Sequence, residues 1–221
     1  MDWEAFALSV ELGVATVLLL LPASFVLARV LAFRRFPGSG FVEALVALPL
    51  VLPPTVVGFY LLYAFGSHSA LGRELARLIG HPLVFSFEGL VFASVLVNLP
   101  FAVQPIQNAL AAIPANVRDA ARCSGMRTWQ LVRRIELPLA WPGIATALVL
   151  TFAHTLGEFG VVLMVGGSIP GETRTVAIAI YDRVQAFDDR GAGIMALALL
   201  CVSLAALGIT NTLMRRVGRR G

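Results

Sequence analysis

Five stretches of this chain are too long and too apolar to fold in water. They cover residues 7–33, 44–66, 89–115, 139–166 and 192–214, and the second, third and fifth carry no charged side chain. At about 1.5 Å of rise per residue, each can cross a hydrocarbon layer about 30 Å thick as a helix. Lipid offers no partner to a free backbone N–H or C=O, so continuous helices are required. Composition agrees. Of the 221 residues 58% are hydrophobic and 14% charged, with a mean hydropathy of +0.83, more apolar surface than a soluble domain of this size can hide. The expectation is an all-α integral membrane protein, a single domain over 1–221, with about five transmembrane helices and six as the upper alternative. The segment 175–184 (TVAIAIYDRV) has an amphipathic pattern suited to a short membrane-dipping helix.

All 17 basic residues are arginine. With five spans, Arg29, Arg34, Arg35, Arg118, Arg122, Arg127, Arg133, Arg134, Arg215, Arg216, Arg219 and Arg220 share one side. Arg73, Arg77, Arg174, Arg183 and Arg190 fall on the other, close to acids. Twelve against five puts the first group in the cytoplasm, the N-terminus outside and the C-terminus inside. The acidic start, MDWEAFALSV, does not suit a cleaved signal peptide. Arginines confined to short loops and a tail, without interleaved aromatics, argue against nucleic acid. The lack of lysine excludes a phosphate-binding P-loop and Schiff-base chemistry. Cys123 and Cys201 read as two small thiols.

Proline marks the spans at Pro22, Pro49, Pro53, Pro54, Pro100 and Pro105. Each removes a helix hydrogen bond, so LPLVLPPTVVG (48–58) and VNLPFAVQP (97–105) suggest bent helices beside a conduit, against the plainer reading that neighbours satisfy the freed carbonyls. Asn98, Gln104 and Gln107 turn the third span toward protein or water. His154 and Glu158 lie inside the fourth. From Leu139, nineteen residues place Glu158 roughly 28 Å up, close to the far boundary. Gly157 and Gly160 around it suggest a helix break or close packing. Candidate pathway or gate residues are therefore Pro53, Pro54, Asn98, Pro100, His154, Gly157 and Glu158. For His154 and Glu158, structural roles compete with gating. No arginine stands in the second, third or fifth span. A buried guanidinium would hold an oxyanion tightly, whereas a conduit must release its cargo.

The loop 114–138 breaks the apolar run with five arginines and reads DAARCSGMRTWQLVRRIELP from Asp119 to Pro138. Asn116 can cap a short helix with Asp119 in its first turn, which Ser124-Gly125 would end. Thr128 can cap a second helix with Leu131, Val132 and Ile135 on one face, stopped by Leu137-Pro138. Ala120 and Ala121 would let a partner approach the first helix closely.

Asp119-Ala120-Ala121, then Gly125, Ile135 and Leu137-Pro138 at the spacing they hold here, closely resemble the "EAA" loop of ABC-importer permeases, with Asp for Glu at 119. The stretches LPLVLPPTVVGFYLL (48–62) and TLGEFGVVLMVGGSIPGETRT (155–175) extend the resemblance, over roughly residues 5–215, to the molybdate/sulfate oxyanion permeases. It implies the ABC type I importer permease fold, with a cytoplasmic coupling helix that carries Asp119, Ala120, Ala121, Gly125, Ile135, Leu137 and Pro138. It implies a homodimer in a prokaryotic cytoplasmic (inner) membrane, two ATPase subunits that use ATP and Mg, and a periplasmic or extracellular oxyanion-binding protein. No catalytic residue, metal or bound cofactor is expected in this chain. Chain length favours molybdate over sulfate or thiosulfate, and no motif separates tungstate. An ion-coupled secondary transporter would show paired midplane acids and inverted repeats, neither of which is visible. A non-transporting scaffold would leave the polar, proline-rich spans unexplained.

Overall fold

The computed structural model describes residues 1–34 and 36–218, with side chains up to residue 208. Arg35, Arg219 and Arg220 lie outside the described residues, and the Arg215 and Arg216 side chains lie beyond that limit. Helix α1 covers Trp3–Phe33 and starts where Asp2 accepts from the Ala5 amide at 3.1 Å. Helices α2 (Ser39–Val51) and α3 (Pro54–Phe65) follow, then α4 (Ala70–Ile79), capped by Ser69 on the Gly72 amide, and α5 (Phe87–Ala111), capped by Ser86 on the Gly89 amide. These hydroxyls satisfy amides that the first helical turn leaves free. The rest comprises α6 (Ala115–Cys123), α7 (Thr128–Leu131), a π-helical turn (Val132–Glu136), α8 (Leu137–Gly157), α9 (Gly160–Gly166), α10 (Val176–Gln185) and α11 (Asp189–Gly218).

Among the described residues, four helices are long and apolar enough to span: Trp3–Phe33, Phe87–Ala111, Thr128–Gly157 and Asp189–Gly208. The stretch 44–66 is bent, as LPLVLPPTVVG suggests, and sharply enough to break the helix in two. It is the pair α2 and α3, bent by 110°. Pro53 and Pro54 supply no amide for the turn below, and the residue before a proline is pushed out of the helical region. Leu52 accordingly takes φ −78°, ψ 137° and Pro53 φ −54°, ψ 135°, after which Pro54 opens α3. Counting the bent pair as one span gives five. Pro22, Pro100 and Pro105, by contrast, sit within unbroken α1 and α5.

Helices α1, α5 and α8 form the core. Lipid gives helices no hydrophobic reason to associate, so close packing by small residues must hold them together. The buried face of α8 is Ala140, Gly143, Ala147, Thr151 and Thr155, a small side chain at every turn. A methyl added at Gly143 would collide with the Pro105 carbonyl and lie 2.5 Å from the Ala109 Cβ, so α5 and α8 touch through that glycine. Ala28 and Leu31 of α1, Val103, Ile106 and Leu110 of α5, and Ala140 and Ala147 of α8 fill one end, together with Val46 of α2.

At the other end α10 packs on α1 and α11 through Val176, Ala179, Ala5 and Met195, and the Ser9 hydroxyl accepts from the Val176 amide at 2.8 Å. The amphipathic stretch at 175–184 is this helix. Its ten residues fall short of a span.

Candidate functional site

The loop 114–138 lies at the end of the bundle where α1 and α5 finish and α8 begins. Helix α6 starts at Ala115, earlier than Asn116 would have it as a cap. Asn116 instead bonds the Val117 amide at 3.0 Å, and Asp119 falls in the second turn, 3.7 Å from Arg122. The end matches expectation. Gly125 takes φ +77°, its amide donates to Arg122 O at 2.9 Å, and the Met126 amide donates to Ala121 O at 3.2 Å. This double closure is the Schellman arrangement, which needs a left-handed residue. The alanines do not form one knob, because they sit 100° apart on the helix. Ala120 is exposed, whereas Ala121 is 5% exposed and seats α6 on its own chain. The outward surface of α6 is thus Ala120 flanked by exposed Asp119 and Arg122.

The following segment also departs from the sequence reading. Thr128 is not the cap; the Gln130 side chain accepts from the Arg127 amide at 3.0 Å. Leu137-Pro138 is not a stop either, because Thr128–Gly157 is one continuous helix. A π turn at Val132–Glu136, closed by the Leu137 amide on Val132 O, admits one extra residue just below Pro138. Its effect is visible in the buried positions, which run 131, 136, 140, 143, 147. The step of five from Leu131 to Glu136 keeps both on the inner face. Ile135 and Leu137 are half-buried and Pro138 exposed.

Glu136 was given no role by sequence, yet its side chain is fully buried. Arg29 Nε of α1 donates to its Oε2 at 2.6 Å, and Arg118 Nε of α6 lies 3.4 Å from its Oε1, an ion pair without hydrogen-bond geometry. The Arg118 guanidinium also covers the Phe33 ring at 3.3 Å. Burial pulls the Arg118 pKa below its ordinary value, and the Glu136 charge opposes that shift. The sequence signal was a lone carboxylate on the apolar stripe of one helix and an arginine inside the first span, each needing a partner.

The pathway candidates split into two groups. Asn98 meets α8 at Thr155, and His154 and Glu158 form a separate pair in the last turn of α8. The Asn98 amide donates to the Thr155 hydroxyl at 3.1 Å and to Ser94 O at 2.8 Å. His154 stacks on Phe101 with centroids 4.2 Å apart, and its Nε2 lies 3.7 Å from Glu158 Oε2. Glu158 ends α8 with an extended ψ of 123°, and its Oε1 accepts from the Val161 amide at 3.0 Å, capping α9. The helix therefore breaks here, and Gly157 is exposed at the break. Pro100 is buried but stands 200° round α5 from Asn98.

Pro53 and Pro54 mark the other break, and the two breaks meet. A methyl at Gly160 would lie 2.9 Å from Pro54 Cβ and 3.3 Å from the Thr55 amide, and one at Gly58 would lie 2.7 Å from Met164 Cβ. Helices α3 and α9 are thus packed together, each separated from the helix before it by a bend. Helix α9 runs about 10 Å beside the first turns of α5, where Leu90 meets Val162 and Ala93 meets Val161. Glu158 is buried, 6% exposed, at the turn that joins α8 to α9. At that same end a cavity of about 1150 Å³ is lined by Glu11, Tyr63, His68, His81, Glu88 and Glu172, among others.

Comparison with known proteins fits this geometry. Residues 20–220 match the family described as binding-protein-dependent transport system inner membrane component. The molybdenum transport system permease protein ModB of Azotobacter vinelandii is 48% identical over 188 residues, covering 85% of this chain and 83% of that one. Its namesake in Escherichia coli K12 is 35% identical over 223 residues, covering 99% and 97%. The crystal structure of a bacterial alginate ABC transporter in complex with alginate pentasaccharide-bound periplasmic protein superposes with a TM-score of 0.77 at 22% identity, covering 97% of this chain and 78% of that one. With the sequence match spanning nearly every helix and the fold reproduced, the chain belongs to the inner-membrane components of binding-protein-dependent transport systems, built on the ABC type I importer permease fold.

Proposed function

We propose that this chain is the permease subunit of an ATP-driven importer for a tetrahedral oxyanion, with molybdate as its cargo. It works as a homodimer with two ATPase subunits beneath and a binding protein above. The observation that carries the reading is the 48% identity to a molybdenum transport permease along most of both chains. The geometry supports it. Helix α6 presents a short, glycine-terminated helix with one exposed small residue, Ala120, between charges. That surface suits a cleft on a separate motor.

The mechanism follows from the two adjacent breaks. Closure of the ATPase pair on ATP displaces α6, and a bundle of tightly packed helices answers as rigid bodies. The pair α3–α9 moves as a unit with the first turns of α5 on which it packs, because the Pro53 bend and the Glu158 break separate it from α2 and α8. Glu158 serves as the structural cap at that hinge. The cavity at the far end faces the binding protein. Its carboxylates repel an anion, so cargo passes without being held, and selectivity falls to the binding protein. The α6 end faces the cytoplasm, so a reporter fused after residue 214 reads cytoplasm and one near Arg73 reads outside.

The experiment is uptake of radiolabelled molybdate by cells lacking their own transporter, with sulfate and tungstate as competitors. Expression with the cognate ATPase and binding protein restores uptake that excess sulfate fails to suppress. Uptake of sulfate in preference to molybdate would assign the cargo differently.

A further inference from the structure

The Arg29–Glu136–Arg118 cluster joins three elements on one carboxylate. Arg118 belongs to α6, Arg29 to the last turns of α1, and Glu136 to the π turn continuous with α8. Among the described residues, the Arg118 guanidinium over the Phe33 ring adds a second tie from α6 to α1. Beyond its tight turns the rest of α6 is mostly exposed, and its only fully buried side chain is that of Ala121. The chain maintains this cluster at a cost, since a fully buried carboxylate with two half-buried guanidiniums is expensive unless each is paired. It also keeps a π turn whose consequence is to aim Glu136 inward while Arg133 and Arg134 stay exposed. Such turns recur where a helix is adapted for a task other than packing.

We propose that Glu136 is the transmission residue of this permease: its carboxylate clamps α6 to α1 and α8, so that a force applied at Ala120 moves the spans and is not absorbed by the loop. Glu136 touches neither cargo nor nucleotide and acts by positioning. The inference rests on the reading of α6 as the surface a motor acts upon. Without the clamp, α6 remains helical, because its Schellman end and its seat on Ala121 persist, but it rocks independently of the bundle. The ATPase then stays bound and turns over without delivering work.

The test uses the complete importer in proteoliposomes and reads molybdate accumulated per ATP hydrolysed, together with co-purification of the ATPase. Glu136→Gln keeps the shape and removes the charge. It retains the ATPase and its hydrolysis, while cargo per ATP falls at least about tenfold, as expected for losing charged hydrogen bonds. Arg29→Gln and Arg118→Gln each leave one guanidinium on the carboxylate and give smaller losses. The double variant Arg29→Gln/Glu136→Gln is no worse than Glu136→Gln alone, since Arg29→Gln removes a pairing that Glu136→Gln has already removed. A Glu136→Gln complex with wild-type cargo per ATP overturns the proposal, as do strictly additive losses in the double variant. If Glu136→Gln fails to assemble, the two arginine variants decide: undiminished coupling in both overturns it. A wild-type complex that accumulates molybdate without any ATPase overturns the reading of α6 beneath it, a distinct result.

Discussion

Substitution at Gly125 isolates backbone conformation from packing. The residue sits at φ +77°, and a Cβ built there meets nothing within 4 Å. Any harm must therefore come from the left-handed conformation itself and not from a clash. For most side chains that conformation costs roughly 1–2 kcal/mol, a factor of about 5–30 in the population of the closed helix end. Asparagine visits this region more readily, and β-branched residues are true outliers there. The expected order of residual function is thus Gly, Asn, Ala, Val. Co-purified ATPase and molybdate uptake, normalised to membrane-inserted permease, provide the assay. Size predicts another order, because asparagine is larger than alanine. An Ala variant better than Asn, or a Val variant equal to wild type, refutes the argument that the turn at Gly125 sets the coupling surface.

Three further outcomes follow from the geometry. Gly160→Val forces atoms into the contact with Pro54 and Thr55, so uptake is lost while the ATPase remains bound; normal uptake would show that α3 and α9 need not stay in contact. Asn98→Leu removes its bond to Thr155, whose own hydroxyl still donates to Thr151 O at 2.8 Å; bonds of this kind average about 0.6 kcal/mol, so detergent unfolding shifts only slightly, and a large shift would assign Asn98 a wider role. At the turn between α10 and α11, the Gly191 amide and then Arg183 hold the Asp188 pKa below its ordinary value. Its contribution is present above the ordinary carboxylate range near pH 4 and is lost as pH falls through the lower folded value; protection of the Gly191 amide from hydrogen exchange follows that curve, and a loss beginning at pH 6 would contradict it.

The spans were legible because lipid admits few structures, and the loop at 114–138 because its residues hold a fixed spacing. The break at Pro53-Pro54 was legible in kind, since two prolines cannot continue a helix, but its 110° was not: the angle depends on α9 packing against α3. The continuous helix through Pro138 was hidden by the same rule that revealed Pro53, because a π turn below Pro138 accommodates it. Ala121 reads as a partner contact in sequence, yet its position on the helix makes it an internal one. Glu136 escaped notice because its partners lie 107 residues before it and on the neighbouring short helix. Long-range pairing of charges leaves no periodic trace in a chain.

The central claim is that this chain transmits work done by a separate ATPase. The direct measurement is molybdate accumulation against a gradient in proteoliposomes holding the permease, with and without the ATPase and ATP, and with binding protein on the outside. Accumulation confined to vesicles that contain both the ATPase and hydrolysable nucleotide is the predicted result. Accumulation by the permease alone, driven by an ion gradient or by none, would contradict the account.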